Sequence, residues 1–562
     1  MLKYFKIGRY GLAALVSIFC SAALRLVLLA QGWPATNSDE ATMGLMARDI
    51  AYRGQLPIFF YGQNYMGAFE AYLAAVAFRL FGSSLFSLRV GLVLLFILFL
   101  VSTYLLTSLL YTKRWALAVV TMLGLGSSFV LARELSAIGG YPETLLFGSL
   151  AFLLAARLAL GYEPGRSPGT QRYIGYTSWG LVVGLGLWSD LLIAPFALCS
   201  GLLLLICCWQ EVRRVLVGLW ALLGLVVGGL PLLLYNLTAA PGQDSLSVLW
   251  QIQHSGNGYI AAHFVQQIFG TLQVSIPMIT GSPFCPVPER LESQAMTSLP
   301  CTLARASWGT AYLFIFLVAL VLGIRAILRS YRQLDKSSPA ARLAFVGDST
   351  RLLLLASALL TLLLYAMGGS PVEWPGSRSR YLIGLLIAAP AILWPLWHAL
   401  ETGNNAHRIT RINKWLSIGV LLFATIFLLM GTVLTFTELP ATQSANQRQQ
   451  ALIDHLLQIG ATHIYSDYWT CNRLAFVSNE RIICGVVELD LQRSQNFNRD
   501  PAYYPVVSAD AHACYLFSIH THIPPMIQQA RLTPEKYKRT LFDSYIIYQP
   551  RTSASSYTRS PV

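Results

Sequence analysis

Hydrophobic stretches of about 17 to 25 residues recur from Gly11 to Phe436, each matching the roughly 20 residues a helix needs to cross a bilayer. From Glu438 onward they stop. Only 12% of the 562 residues are charged, so no soluble shell can cover such runs, and the chain reads as a polytopic membrane protein. Crossings are expected near 11–30, 84–110, 115–133, 142–160, 175–189, 191–209, 215–235, 308–328, 351–368, 381–400 and 415–437. The turn between the fifth and sixth rests on Trp188, Ser189 and Asp190 alone. No clean small-residue cleavage site precedes Trp33-Pro34, so the first run is read as a crossing rather than a signal peptide.

A formal charge of +14 raises the question of nucleic acid, but the basic residues gather in alternate loops. If Lys3, Lys6 and Arg9 are cytoplasmic, so are Lys113/Arg114, Arg166/Arg172, Arg213/Arg214, Arg329/Arg332/Lys336/Arg342 and Arg408/Arg411/Lys414. That is the positive-inside pattern of a multi-pass protein in a plasma or inner membrane, with its N-terminus inside and its C-terminus outside. The partners expected are membrane lipids, not nucleic acid.

The expected fold class is therefore mainly α. About eleven transmembrane helices occupy 1–437, an extracytoplasmic α/β domain 438–550, and a disordered tail 551–562. "THIYSD", "RIICGVVEL", "HACYLFSI" and "YIIYQP" read as strands of the terminal domain, and "WTCNRLAFVSNE" as a helix. It has no glycine-rich phosphate loop. The first outside loop, 31–83, holds two apolar helices, Asp39 to Arg53 and a segment carrying Glu70 and Arg79. A second long outside loop, 236–305, contains "GSPFCPVPERLES", whose prolines forbid regular helix. Asn236-Leu237-Thr238 is a formal glycosylation sequon. Cys285 and Cys301 share one outside loop, and Cys471, Cys484 and Cys514 share the terminal domain, so disulfides are candidates there.

Chemistry-bearing residues collect on the outside face. Asn37 followed by Glu40 is a capping pattern, but capping requires one acid and the chain supplies Asp39 and Glu40 at a membrane boundary, where a partly desolvated carboxylate suits a general base. The next outside loop adds Arg133/Glu134, readable as a local ion pair, and Glu143 after "GGYP". Arg378 and Arg380 stand outside, against the orientation rule, and suit an anionic lipid headgroup such as a phosphate. Tyr61, Gln63, Asn64, Tyr65, Tyr141, Trp374, His254 and Tyr381 add aromatic and amide groups suited to sugars.

"SDEATMGLMARDI", "GQNYMGAFEAYLAAVAFRLFGSSLFSLRV", "GGYPE" and "SRYL" together resemble the GT-C class of membrane glycosyltransferases, in particular its protein O-mannosyltransferase and aminoarabinose transferase branch. The resemblance implies a polyprenyl-phosphate sugar as donor and transfer to a hydroxyl on the extracytoplasmic face, with inversion. Asp39 would act as general base, with Glu40 orienting it. The second acidic position maps onto Glu134 or Glu143, with Glu143 favoured because the preceding glycines let the backbone approach a substrate. Glu143 is then a candidate to bind sugar hydroxyls or a divalent metal, and Arg378 and Arg380 to hold the donor phosphate. A transporter or flippase of lipid-linked saccharides and a non-catalytic scaffold are the alternatives. Mid-span positions almost free of charge count against transport.

Overall fold

The computed structural model describes residues 8–254, 264–281, 285, 298–333, 338–402 and 408–551. Lys3, Lys6, Lys336, most of "GSPFCPVPERLES", the side chain of His254 and the tail beyond Arg551 lie outside the described residues. Among the described residues, seven helices are long and apolar enough to span a membrane, at Arg9–Ala30, Leu85–Leu110, Tyr141–Leu160, Leu191–Val212, Leu299–Arg332, Pro339–Ala366 and within Arg411–Gln458. The protein is a multi-pass helical membrane protein with a small C-terminal α/β domain.

The crossing count departs from eleven for local reasons. Lys113–Leu123 and Ser128–Leu135 form a pair bent by 88°, and Val215–Gly228 and Leu230–Thr238 a pair bent by 74°, so at most nine spans meet the length and composition test among the described residues. Gly124 and Gly126 break the first pair, and Gly229 with Pro231 the second, where proline withholds a backbone donor. The run expected at 381–400 splits into a 3₁₀ turn, Ser377–Leu382, and two short helices, Leu385–Ile392 and Trp394–Thr402. The run expected at 175–189 is helical over Thr170–Ser189, without reaching the apolarity of a span.

That helix instead packs backbone to backbone on Val215–Gly228. Gly180 and Gly184 face Gly224 and Gly228 in matching small-x-x-x-small pairs, and a Cβ on Gly224 would lie 2.0 Å from the Thr177 carbonyl. Gly224→Leu is expected to force the two helices apart and to destabilise by about 1–3 kcal/mol, read as a lower thermal midpoint of the purified protein.

Four elements frame the site. We label them α1 (Arg9–Ala30), α2 (Ser38–Arg48, continued by one π turn through Arg53), α3 (Phe69–Phe81) and α4 (Leu85–Leu110). α2 is amphipathic only weakly, and nearly every side chain along it is buried between the bundle and the terminal domain. The terminal domain follows a helix at Leu439–Gln458 that continues the last span. Its sheet has the order β2-β1-β3-β5-β4, with β1 (His463–Ser466) parallel to β2 (Ile483–Val486) and β3 (Cys514–Ser518). β5 (Tyr545–Pro550) runs antiparallel to β3 and to β4 (Tyr537–Phe542). β4 escaped the sequence reading because "YKRTLF" is polar enough to look like a loop, and its burial pattern shows an exposed edge strand. Disulfides join Cys285 to Cys301 and Cys471 to Cys484, with Cα separations of 5.6 and 5.2 Å, while Cys514 is buried and unbridged.

Candidate active site

Asp39 and Glu40, adjacent in sequence, leave the helix in different directions, as i and i+1 must. Asn37 performs the capping, its Oδ1 accepting from Glu40 N at 2.9 Å. Glu40 turns inward and is fully buried. It accepts from Arg89 Nε and Nη2 at 2.7 and 2.5 Å and from the Ala137 amide at 3.0 Å. These bonds tie α2 to α4 and to the second outside loop, so the expectation of Glu40 as a catalytic partner gives way to a structural ion pair. Asp39 remains partly exposed, and its Oδ1 accepts from the Tyr468 hydroxyl.

Tyr468 comes from the terminal domain. Asp467 caps its helix, Tyr468–Val477, by accepting from Thr470 N at 3.2 Å. The helix lies directly on α2, where Ser38 donates to the Tyr468 carbonyl at 2.5 Å, Asn472 to Thr42 Oγ1 at 2.6 Å, and Arg48 to the Phe476 carbonyl at 2.8 Å. Gly44 makes the approach possible, since a Cβ there would sit 2.4 Å from the Phe476 ring. Burial and the Asp39 charge hold the Tyr468 phenol above its usual range, so it stays a donor. Tyr468→Phe is expected to leave the fold intact and to lower turnover about tenfold, the worth of a hydrogen bond to a charged group, read as kcat beside an unchanged melting point.

The cations rearrange relative to expectation. Arg378 pairs with Glu373 at 2.6 Å and is thereby diverted, close to Trp374 at the end of the same short helix. Arg380 stays in the site, 5.7 Å from the Tyr141 ring and 5.4 Å from that of Tyr381. The local Arg133/Glu134 pair does not form. Glu134 is instead buried in an ion pair with Arg25 of α1 at 2.6 Å, at the wall of the apolar groove described below. Arg133 stacks over Phe129 at 5.0 Å, within electrostatic range of Asp39, Arg380, Tyr141 and Tyr381. The Nε atoms of Arg133 and Arg380 are both buried, with no hydrogen-bond partner among the described residues. Asp39 thus lies within electrostatic range of two half-buried guanidinium groups, each with a buried Nε donor to spare.

Beneath them lies an acidic layer. Glu143, at the start of the helix Tyr141–Leu160, is 1% exposed and adjoins Glu70 of α3, which accepts from Gly139 N at 2.9 Å. Burial and the charge of Glu143 raise the Glu70 carboxyl well above its usual range. Gly139 and Gly140 have φ of 89° and 84°, and a Cβ on Gly140 would lie 2.3 Å from Asp190 Oδ2. The glycine pair therefore brings the backbone against Asp190 and Met66, rather than opening Glu143 to a substrate as the sequence reading supposed. Among the described residues no three His, Cys, Asp or Glu side chains gather as metal ligands, so no metal is assigned.

The "FFYGQNYMG" loop divides. Tyr65 lies within electrostatic range of Tyr381, Arg380, Asp190 and Arg499, and burial pushes its phenol up to about 12. Tyr61 points elsewhere, donating to Asp49 at 2.7 Å and Gln55 at 3.1 Å. Gln63 closes the turn through its backbone, and the Asn64 carbonyl accepts from Ser245 at 2.6 Å, so neither amide side chain is brought to Asp39 by these bonds. Sequence reasoning missed Arg133 as a site group, Asp190, Tyr468 and Arg499. Asp190 had a signal, an acid in an outside turn on the same face. Arg499 bonds the Gly62 carbonyl at 2.9 Å and lies 5.5 Å from the Tyr468 ring.

Next to Arg499, burial pushes Asp500 up to about 6 from 3.8. The folded chain then holds an extra proton between about pH 4 and 6, so stability falls as pH rises across that window. Asp500→Asn is expected to flatten this slope in a series of thermal melts.

An apolar groove of about 420 Å³ opens beside the site, lined by Met122, Leu125, Val130, Trp308 and Phe427 among others. One wall belongs to Ser128–Leu135, the helix that carries Arg133.

Solved membrane enzymes share this arrangement of helices and terminal domain. The ArnT protein from Cupriavidus metallidurans bound to undecaprenyl phosphate superposes with a TM-score of 0.50 at 13% identity, covering 97% of this chain and 98% of that one. The likeness is one of fold. The Archaeoglobus fulgidus oligosaccharyltransferase tethered to an acceptor peptide with an NVT sequon likewise gives 0.50 at 14% identity, covering 91% and 70%. No protein-family model matches the chain, and no curated protein matches it by sequence. At these identities the GT-C likeness shows the fold, and the site must be argued from its own residues.

Proposed function

We propose that the chain is a membrane glycosyltransferase that moves a sugar from a polyprenyl-phosphate donor to an acceptor hydroxyl on the extracytoplasmic face, inverting the anomeric centre. The single observation that carries the reading is a solvent-reachable carboxylate, Asp39, within electrostatic range of two half-buried arginines, Arg133 and Arg380, whose buried Nε donors lack partners among the described residues. A phosphate diester needs cations where charge develops on the leaving oxygen, and a base where the attacking hydroxyl loses its proton. The polyprenyl tail lies along the apolar groove, one wall of which belongs to the helix that carries Arg133, and its phosphate is held by Arg133 and Arg380. Asp39 takes the acceptor proton as the hydroxyl oxygen attacks the anomeric carbon from the face opposite the phosphate. The carbon–oxygen bond to the lipid phosphate breaks, and polyprenyl phosphate leaves without an acid to protonate it, since a diester oxygen becomes a stabilised monoester anion. Arg133 thus takes the part first assigned to Arg378, and Tyr468 holds Asp39 in orientation.

The neighbours support this chemistry to the extent that one was solved with undecaprenyl phosphate and another with an acceptor peptide. The test is to incubate purified protein in lipid nanodiscs with a panel of radiolabelled polyprenyl-phosphate sugars and membrane extract. The reading expects label to leave the lipid with at least one donor. Intact donor throughout, with labelled lipid crossing vesicle bilayers instead, would favour a flippase.

A further inference from the structure

A second cavity, of about 710 Å³, lies apart from Asp39, between the first outside loop and the terminal domain. Asp49, Gln55 and Tyr61 line it from one side and Glu480, Arg499 and Asp500 from the other. Its volume falls within the roughly 300–1,000 Å³ of small-ligand sites, and nothing in the donor chemistry uses it.

Most of the wall surface is apolar, and the charged groups set into it largely cancel. Arg53 pairs with Asp49 and, at 2.8 Å, with Glu480. Tyr61 and Tyr503 each donate to one of these carboxylates at 2.7 Å. Such a wall offers fixed carboxylate lone pairs and aromatic surface with little net charge, and among the described residues it gathers no metal-binding group. Two groups of the lining keep unused hydrogen-bonding capacity. Arg499 has a buried Nε with no hydrogen-bond partner among the described residues, and Asp500 engages the Ala502 amide at 2.9 Å through only one oxygen. A few fixed donors and acceptors set in apolar and aromatic surface, with little net charge, match a neutral polyhydroxylated ligand better than a cation or an anion. Arg499 also links this cavity to the base, because its guanidinium lies over the ring of Tyr468, whose hydroxyl donates to Asp39.

We propose that this cavity is the acceptor-side site and that it takes a saccharide, a neutral sugar chain whose reactive hydroxyl passes Arg499 to reach Asp39. The proposal rests on the glycosyltransferase reading. Its test uses the full chain in nanodiscs and two probes, a neutral hexose tetrasaccharide and a lysine-serine hexapeptide, with binding followed by saturation-transfer NMR. Val506, an exposed residue of the cavity rim outside the catalytic groups, is replaced by tryptophan to fill the space. The tetrasaccharide should bind the wild type, and Val506→Trp should weaken it roughly tenfold while leaving donor cleavage by water unchanged. Absence of saccharide binding, equal saccharide binding to both proteins, or binding of the peptide alone would overturn the proposal. Failure of the wild type to cleave any lipid-linked donor would instead remove the glycosyltransferase reading, whatever the NMR shows.

Discussion

Asp39→Asn is expected to lower sugar transfer by about 10²- to 10⁴-fold, the range a general base contributes, with the protein folded and the donor still bound. The substitution keeps the size of the side chain and an oxygen that can accept from Tyr468. It removes the negative charge and with it the ability to take a proton. Neither Glu40 nor Glu143 can substitute, because Glu40 is locked by Arg89 and Ala137 and Glu143 is buried beside Glu70. Donor affinity, measured as KM for the lipid-linked sugar, should change little, since Arg133 and Arg380 hold the phosphate. A mutant as active as wild type would remove Asp39 from the mechanism.

Arg89→Ala carries the second large effect, and it falls on stability. Arg89 and Glu40 are each about 1% exposed, and the arginine makes two bonds to the carboxylate. Removing one member strands a charge in a low-dielectric interior, at a cost of about 3–5 kcal/mol. Poor yield and a markedly lower melting temperature should follow. The paired variant Glu40→Gln with Arg89→Met should recover most of the loss, because replacing both partners removes the desolvated charges together. If Arg89→Ala alone melts like the wild type, Glu40 is not held as described, and its exclusion from catalysis would fail with it.

The course of the chain was legible where one physical signal dominated. Long apolar runs marked most spans, and strand–helix–strand patterning marked the terminal domain. It was illegible where glycine or proline breaks a helix, at the bends after Leu123 and at Gly229, and in the broken segment that carries Pro390 and Pro395. The topology of alternating basic loops brought Asp39, Arg380 and Tyr141 to one face, and the structure brings them together. Sequence could not say which way neighbouring side chains turn. Arg133 and Glu134 diverge because α1 offers Arg25 to the acid, and Arg378 diverges from Arg380 because Glu373 lies within reach. Nor could it show that Tyr468 reaches Asp39 across 429 positions, since that bond depends on the terminal domain docking on α2.

The central claim is a single displacement at the anomeric carbon, driven by one base and two phosphate-binding arginines. The measurement that tests it most directly is the anomeric configuration of the transferred sugar, read by NMR of the product formed from a donor of defined configuration. Inverted product appearing together with free polyprenyl phosphate is the predicted result. Product with retained configuration would require a covalent intermediate that Asp39 alone does not explain, and would contradict the account.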